Sequence, residues 1–534
     1  MATYTITSAI AGLRFSMKQT EKGDSVFVKN AVVAYELTAS AFNEITDIDY
    51  PSRHTYTVSS LTRSGATATA TTSITNSLAT GDTVTIAGAD QTEYNGNFAI
   101  TVTGGTTFTY TVSGAPTTPA TGTITAVGGK TTVPGCVYID GRMFVQAITG
   151  EIYQSGDENV TTWVSTDFIT PEKEPSNAVA IAKSINYLGA FKQWDIEFFY
   201  NAGNASPGSV LSVVDSSYLK LGCATADSIL EFDGGVIFMS KRDNLQRSRE
   251  IHVLNGLTPK KISDANVERI LNGDDLATVY SCYLSTGGHQ FYLLTLKTST
   301  ITLMYDFNNG LWYQWSILTA QTAQTITAGN LTSSGTTATC TLTAHGFADG
   351  DPVSIAGANQ TAYNGIVNVT RSDANTFTYP IASGQTTPAT GTLTATGYTE
   401  SYFPAVAYAT YQNLDLILHE TNGIIYSLEP LTFRDDGVPI NVMLRTPNWD
   451  NGNNERKIVT RLRLIGDRVD TDVMVRYYDD DYVTPSNYRR FDMSTQKTQL
   501  TRLASTERRA YELKHTDNTA LRVEALEQDF IQGK

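Results

Sequence analysis

Ile229-Leu-Glu-Phe-Asp-Gly-Gly-Val-Ile-Phe-Met239 consists of two apolar runs of strand character joined at Asp233-Gly234-Gly235. Asp-Gly between β-branched and aromatic residues is a hairpin signal, because glycine adopts the positive φ that a tight turn demands. Val137-Tyr-Ile-Asp-Gly-Arg-Met-Phe-Val145 uses the same device. Each hairpin is followed by another strand pattern, Glu151-Ile-Tyr-Gln-Ser155 after the one at 137–145 and Glu250-Ile-His-Val-Leu-Asn-Gly256 after the one at 229–239. Further along come Phe291-Tyr-Leu-Leu-Thr-Leu296, Thr300-Ile-Thr-Leu-Met-Tyr-Asp306 leading into Gly310-Leu-Trp-Tyr-Gln-Trp315, and Leu414-Asp-Leu-Ile-Leu418 with Gly423-Ile-Ile-Tyr-Ser-Leu428. A recurring unit of hairpin, aromatic-bearing strand and turn predicts the blades of a β-propeller, which hides its strand edges by radial repetition. An open meander of stacked hairpins is the alternative. Helix is expected only in short stretches, chiefly Asp264-Ala-Asn-Val-Glu-Arg-Ile-Leu271 with Asp264 as its cap.

Between these units a different composition appears twice. Thr80-Gly-Asp-Thr-Val-Thr-Ile-Ala-Gly-Ala-Asp-Gln-Thr-Glu-Tyr-Asn-Gly-Asn-Phe98 returns 269 residues later as Asp349-Gly-Asp-Pro-Val-Ser-Ile-Ala-Gly-Ala-Asn-Gln-Thr-Ala-Tyr-Asn-Gly-Ile-Val367. The register holds through Thr107-Phe-Thr-Tyr110 and Thr117-Thr-Pro-Ala-Thr-Gly-Thr123. The copies, 61–126 and 331–395, hold 36 of the 78 threonines and only 8 of the 91 charged residues. Period-2 runs separated by Tyr-Asn-Gly and Ala-Gly-Ala turns predict a small β-sandwich for each. Copies so far apart cannot stack as a solenoid, so they read as one module inserted twice at loop tips of a host.

Residues 431–534 carry 17 Lys+Arg and 17 Asp+Glu, with Arg outnumbering Lys by 13 to 4. Alternating strands at Ile458–Ile465, Asp472–Tyr478, Arg509–Leu513 and Ala520–Leu526 predict a separate β-sandwich with one solvated face per sheet. The expected architecture is therefore all-β: a β-propeller body with two inserted small β-sandwich modules and a C-terminal β-sandwich. The body takes 1–60, 127–330 and 396–430. Of the chain's net charge of −15, the body carries −11, the inserts −4 and the C-terminal zone zero.

The series Ala190-Phe-Lys-Gln-Trp-Asp-Ile-Glu-Phe-Phe-Tyr-Asn-Ala-Gly203, Gly222-Cys-Ala-Thr-Ala-Asp-Ser-Ile229, Glu250-Ile-His-Val-Leu-Asn-Gly-Leu-Thr-Pro-Lys-Lys-Ile-Ser263, Val267-Glu-Arg-Ile-Leu271 and Tyr305-Asp-Phe-Asn-Asn-Gly-Leu-Trp-Tyr-Gln-Trp315 resembles the packaged-DNA stabilisation proteins of short-tailed bacteriophages. These are also called tail hub or nozzle proteins. The resemblance spans about 130 to 315 and 403 to 430. Arg445-Thr-Pro and Arg476-Tyr-Tyr-Asp-Asp-Asp resemble that family's terminal sandwich more loosely, and the inserts resemble the immunoglobulin-like modules of phage virion proteins. Family members carry a longer segment before the first blade than the one preceding Phe27-Val-Lys-Asn30 here, so a blade is expected to be missing or supplied by another chain. The resemblance implies a hexameric ring below the portal and its adaptor, closing the capsid and forming the conduit for genome ejection. The expected partners are other copies of the chain, the portal adaptor or head-to-tail connector, tail needle, tailspike or fibre proteins, and DNA passing without sequence-specific binding. The expected place is the virion tail, assembled in the host cytoplasm. An acidic body suits that role, since each Lys or Arg contact to phosphate would add counterion-release affinity and stall the polymer.

Nothing in the sequence supplies chemistry. Nucleophile-elbow, Walker and His-Glu-x-x-His patterns are absent, and His54, His252, His289, His345, His419 and His515 stand singly. Cys136, Cys223, Cys282 and Cys340 are too dispersed for a zinc site and read as buried hydrophobes. Asp479-Asp-Asp481 lacks the alternating ligands of a calcium loop and reads as a solvated turn. Lys241-Arg-Asp-Asn-Leu-Gln-Arg-Ser-Arg-Glu250 with Lys260 and Lys261 leans basic, but its interleaved acids and missing aromatics favour a solvated loop over a DNA contact. Neither a cofactor nor a metal is expected, and the chain is read as no enzyme. Arg489, Arg490, Arg508 and Arg509 are the candidate protein-interface residues, because arginine is enriched at interfaces. No apolar run is long enough for a membrane helix, and Met-Ala-Thr-Tyr-Thr-Ile-Thr-Ser lacks an export signal, so neither membrane insertion nor export is expected. The alternatives are a receptor- or glycan-binding tail adhesin and, further off, a propeller glycosidase, whose paired carboxylates a sequence cannot reveal.

Overall fold

The computed structural model describes residues 16–20, 23–232, 235–242, 249–412, 414–453 and 455–533. Strands hold 55% of the residues and helix 4%, so the protein is all-β as the sequence implies. The chain forms two compact units: Met1–Tyr283, Phe291–Ser299 and Tyr305–Trp312 make the first, and Leu284–Gln290, Thr300–Met304 and Tyr313–Lys534 the second.

In the first unit, consecutive strands pair antiparallel into sheets of blade type. One comprises Ser16–Gln19, Ser25–Lys29, Ala34–Thr38 and Phe42–Glu44, and the next Val137–Ile139, Arg142–Gln146, Ile152–Gly156 and Asn159–Ile169. A third holds Ala178–Ser184, Tyr187–Lys192, Ile196–Asn201 and Leu211–Val213. The fourth is built on Gly235–Lys241, Arg249–Asn255 and Thr258–Lys261, with Gly222–Cys223 and Leu230–Phe232 both on the first of these.

Their stacking follows from strand alternation. Tyr138, Met143 and Val145 pack with Phe27 and Ala34 of the first sheet and with Tyr50 in the connection that follows it, whereas Val137, Ile139 and Phe144, on the opposite face, pack with Ile181, Leu188 and Phe199 of the third. The third sheet in turn sends Ala182, Phe191 and Phe198 against Val236, Phe238 and Leu254 of the fourth. Each inner sheet is thus apolar on both faces, which explains continuous runs such as Met-Phe-Val at 143–145. The propeller reading of the sequence holds.

The turns obey the expected chemistry. Ile139 pairs with Arg142 across Asp140 (φ 46°) and Gly141 (φ 83°), the two positive φ values of a type I′ hairpin. In the second hairpin Phe232 pairs with Gly235, while Asp233 and Gly234 lie outside the described residues. The α-helix runs Ala265–Gly273, and the Asp264 side chain accepts from the backbone N–H of Asn266 and Val267 at 2.9 Å each. All four cysteines are unpaired and buried; burial pushes the Cys136, Cys223, Cys282 and Cys340 thiols up to about 12, leaving them un-ionised and inert.

The two threonine-rich segments each enclose their own core. Val84, Ile86, Tyr94, Phe108 and Tyr110 are buried together in one, and Val353, Ile355, Tyr363, Phe377 and Tyr379 occupy the same places in the other. Tyr-Asn-Gly recurs because the asparagine closes the turn. Asn95 Nδ2 donates to Ala89 O at 2.7 Å while Ala89 N donates to Asn95 Oδ1 at 3.0 Å, and Asn364 repeats this with Ala358 at 2.8 and 2.9 Å. Ala-Gly-Ala recurs because Gly88 and Gly357 lie against the neighbouring strand: a Cβ would stand 2.0 Å from Thr123 O and 1.8 Å from Thr392 O. Incoming and outgoing strands pair in both segments, Thr55 with Val127 and Thr319 with Thr399.

In the second unit, Ala405–Tyr411, Leu414–His419 and Ile425–Leu428 form a three-stranded meander. The C-terminal residues form two sheets. Val442–Arg445, Ala510–His515, Asp472–Tyr478 and Arg489–Asp492 make one; Lys457–Gly466 flanked by Gln499–Thr501, Ser505–Thr506 and Val523–Gln532 makes the other. Val459, Leu462 and Leu464 meet Val473, Val475, Phe491 and Leu513 between them. This is a β-sandwich, with one departure from expectation: every residue of Ala510–His515 is buried, the charged ones included.

Candidate functional site

Glu512 is the centre of that departure. Its carboxylate is fully buried and accepts hydrogen bonds from Arg445 Nε (3.1 Å) and Nη2 (2.5 Å), Arg476 Nε (2.7 Å), Tyr478 Oη (3.0 Å) and Tyr488 Oη (2.5 Å). Burial alone would raise its pKa, but the bonds from Tyr488, Arg445 and Arg476 outweigh it and hold the group down at about 2. Arg476 also stacks on the Tyr488 ring, 4.6 Å from its centroid.

The second threonine-rich module covers this face. Tyr488 N donates to Asp349 Oδ2 at 2.9 Å, Arg490 Nη2 to Asn368 O at 2.8 Å and Thr516 Oγ1 to Asn368 Oδ1 at 2.6 Å, while Lys514 Nζ lies 3.7 Å from Asp351. A cavity of about 380 Å³ remains there, lined by Asp351, Glu400, Asn441, Arg476, Tyr488 and Lys514 among others. In the first module Thr80 and Ala99 stand at the positions of Asp349 and Asn368. The side chains that accept from Tyr488 N and Thr516 Oγ1 in the second module are therefore not present in the first, whereas Asp351 has its counterpart in Asp82.

The four sequence candidates have different fates. Arg509 is fully buried, with Nε and Nη2 on the Asp479 carboxylate at 2.6 and 2.8 Å, Nη1 on Leu503 O at 2.6 Å and its guanidinium 3.9 Å from the Tyr477 ring centroid. Its donors face inward, and it presents nothing to a partner. Arg490 makes a protein contact, but inside the chain, to Asn368 and to Asp472 at 3.2 Å. Arg489 donates to Thr501 O at 2.7 Å. Arg508, half exposed, pairs with Asp481. Asp480 meanwhile accepts from Val483 N (3.2 Å) and Thr484 N (2.9 Å), so each member of Asp479-Asp-Asp481 has its own partner. Glu512 and Tyr488 were not singled out from the sequence, and Arg445 and Arg476 only as marks of a loose family resemblance; the available signal was a row of charges on a strand whose other face is core.

Of the basic-leaning stretch, residues 243–248 lie outside the described residues. Lys241 sits over the Trp194 ring at 4.5 Å, Arg242 pairs with Glu250 at 3.2 Å, and Lys261 with Glu250 and Glu268 at 3.4 and 2.7 Å. His345 caps a turn, accepting from Phe347 N at 3.0 Å, as Asn76 does for Leu78 N at 3.3 Å in the other module. Among the described residues no group of three or more His, Cys, Asp and Glu side chains could hold a metal ion.

The family described as Bacteriophage P22 Gp10, beta-propeller, matches residues 53–341, more than half of the chain. The chain belongs to this family. Its P22 Gp10-type match takes in the second, third and fourth stacked sheets and stops before the C-terminal sandwich, so the Glu512 cluster and the candidate arginines lie outside it. Membership makes the protein a phage structural protein and a component of the virion. No curated protein matches the chain. Solved structures similar to it include BamB from Moraxella catarrhalis, 11% identical over 68% of this chain and 84% of that one with a TM-score of 0.25. The endosialidase of phage phi92 is 11% identical over 79% of this chain and 64% of that one, with a TM-score of 0.16.

Proposed function

We propose that the protein is a tail hub or nozzle: a ring of copies below the portal adaptor that closes the head-to-tail channel, retains packaged DNA and conducts the genome at ejection. The observation that carries this reading is the P22 Gp10 match over sheets that stack as blades. The two threonine-rich segments are immunoglobulin-like insertions, and the sandwich is the surface turned to other tail proteins. The partners are further copies of the chain, the portal adaptor, and needle, tailspike or fibre proteins, and the chain performs no catalysis. DNA passes without being held, since a body of net −11 repels phosphate.

Virions assembled without this chain test the proposal. They are expected to lose their genome and to lack a complete tail, with cryo-electron microscopy of intact virions placing the chain in a sixfold ring on the axis. Intact genomes in its absence, or a peripheral trimer, would sink the hub. A second reading, glycan adhesion, draws on the uncharged threonine face shared by both modules, where Thr109 pairs with Thr69 and Thr101 and Thr378 with Thr339 and Thr370. Retention of the chain on host polysaccharide would favour it.

A further inference from the structure

The third stacked sheet buries charges that do not balance. Lys192, Asp195 and Glu197 are 2%, 0% and 1% exposed, one ammonium against two carboxylates. Lys192 Nζ lies 2.8 Å from Asp195 Oδ2 and 2.6 Å from Glu197 Oε1, and donates to Glu174 O at 2.8 Å. Asp195 Oδ1 accepts from Ser176 Oγ at 2.5 Å, and Glu197 Oε1 also accepts from Lys173 N at 3.0 Å. Glu197 Oε2 is buried and has no hydrogen-bond partner. A desolvated carboxylate oxygen in that condition is unfavourable until a donor reaches it.

Glu197 lines a cavity of about 560 Å³ together with Glu172, Asp215 and Lys173, whose ammonium is drawn 3.1 Å from Asp215. Apolar Phe168, Ile169 and Val213 also line it. Carboxylates at the base and rim with an apolar flank match a cation carried on a methylene stem, whose head forms charge-assisted bonds while its stem lies on the ring and aliphatic wall.

We propose that this cavity receives an arginine side chain from the C-terminal sandwich of a second copy of the chain. The sandwich holds 13 arginines, and a cavity of about 430 Å³ on it is lined by Arg461, Arg463, Arg468 and Lys497, of which Arg461 and Arg463 are paired with Asp529 and Glu527 at its margin and Arg468 donates to Ser494 O at 3.0 Å. An acidic socket and an arginine-lined cavity on one chain are complementary in charge between copies. The inference rests on the ring reading above and names the contact within it.

Titration of the full chain with agmatine, an alkylguanidinium, tests the socket, and sedimentation of the same samples tests its occupant. Saturable binding is expected, weaker by about tenfold or more in Glu172→Gln/Asp215→Asn, two exposed positions whose change leaves the buried charges in place. The same substitutions, or excess agmatine, are expected to reduce self-association. Failure of agmatine to bind, or binding of calcium in its place, overturns the socket. Binding without any effect on an association that the wild type does show overturns the second copy as its occupant. A wild type that stays monomeric at every concentration sinks the ring reading itself, separately from the socket.

Discussion

Glu512 shows what a buried charge does when every lone pair is engaged. Two guanidinium and two phenol partners hold its carboxyl near 2 against an ordinary 4.5. The folded value is the lower one, so its stabilisation is complete above about pH 4.5 and drains as pH falls towards 2. The shift corresponds to about 3 kcal/mol across that window. Glu512→Gln is expected to destabilise the sandwich at pH 7 by roughly 2–3 kcal/mol, because the charge-assisted bonds it accepts from the half-exposed Arg445, the partly buried Arg476 and the two tyrosines lose their charge. Chemical denaturation at pH 7 and pH 3 measures both effects, and the gap between wild type and variant should narrow at the lower pH. A gap independent of pH would show that the carboxylate's charge is not what matters. None of this was legible locally, since Arg476, Glu512 and Lys514 fall on the positions that alternation assigns to solvent. What covers them is a loop more than a hundred residues earlier in the chain.

At the scale of elements, the turns were the most readable part, because their residues are dictated by backbone geometry rather than by distant contacts. Asp140-Gly141, the Asp264 cap and the asparagines of Tyr-Asn-Gly all do what their chemistry predicts. The paired modules turn one such element into a controlled comparison. Gly81 and Gly350 occupy equivalent turns with φ of 98° and 80°, yet a Cβ on Gly81 meets nothing within 4 Å while one on Gly350 would stand 2.5 Å from the Tyr488 ring. Gly81→Ala should cost only the left-handed backbone penalty, about 1–2 kcal/mol. Gly350→Ala should cost that and a further ~1–3 kcal/mol of overpacking, because Tyr488 is tied to Glu512 and cannot yield freely. Denaturant midpoints of the two variants decide it, and equal losses would mean that the module does not press on the sandwich.

For the molecule as a whole, the recurrence of hairpin, aromatic-bearing strand and turn carried the propeller reading, and the structure adds that a strand apolar on both faces lies between two layers, as Arg142–Gln146 does between the cores around Tyr138 and Val137. Sequence repetition located the modules but was silent on their unequal roles. That inequality sets the outcome of removing them. Replacing 56–126 by Asn-Gly joins Thr55 to Val127, which already face each other, through a two-residue turn suited to an antiparallel pair. The sheets from Val137 onward keep their mutual cores, and the sandwich keeps its cover, so calorimetry should find the melting of the rest unchanged. Replacing 320–398 in the same way joins Thr319 to Thr399 but strips Tyr488, Arg490, Lys514 and Thr516 of Asp349, Asn368 and Asp351. At about 1 kcal/mol for each lost interaction, this amounts to about 3–4 kcal/mol, or roughly 15–20 °C in melting temperature for a domain of about 100 residues. If both deletions proved equally silent, the docking of the second module would be contact without energy; if the first alone collapsed the protein, that segment would be part of the body rather than an insertion in it.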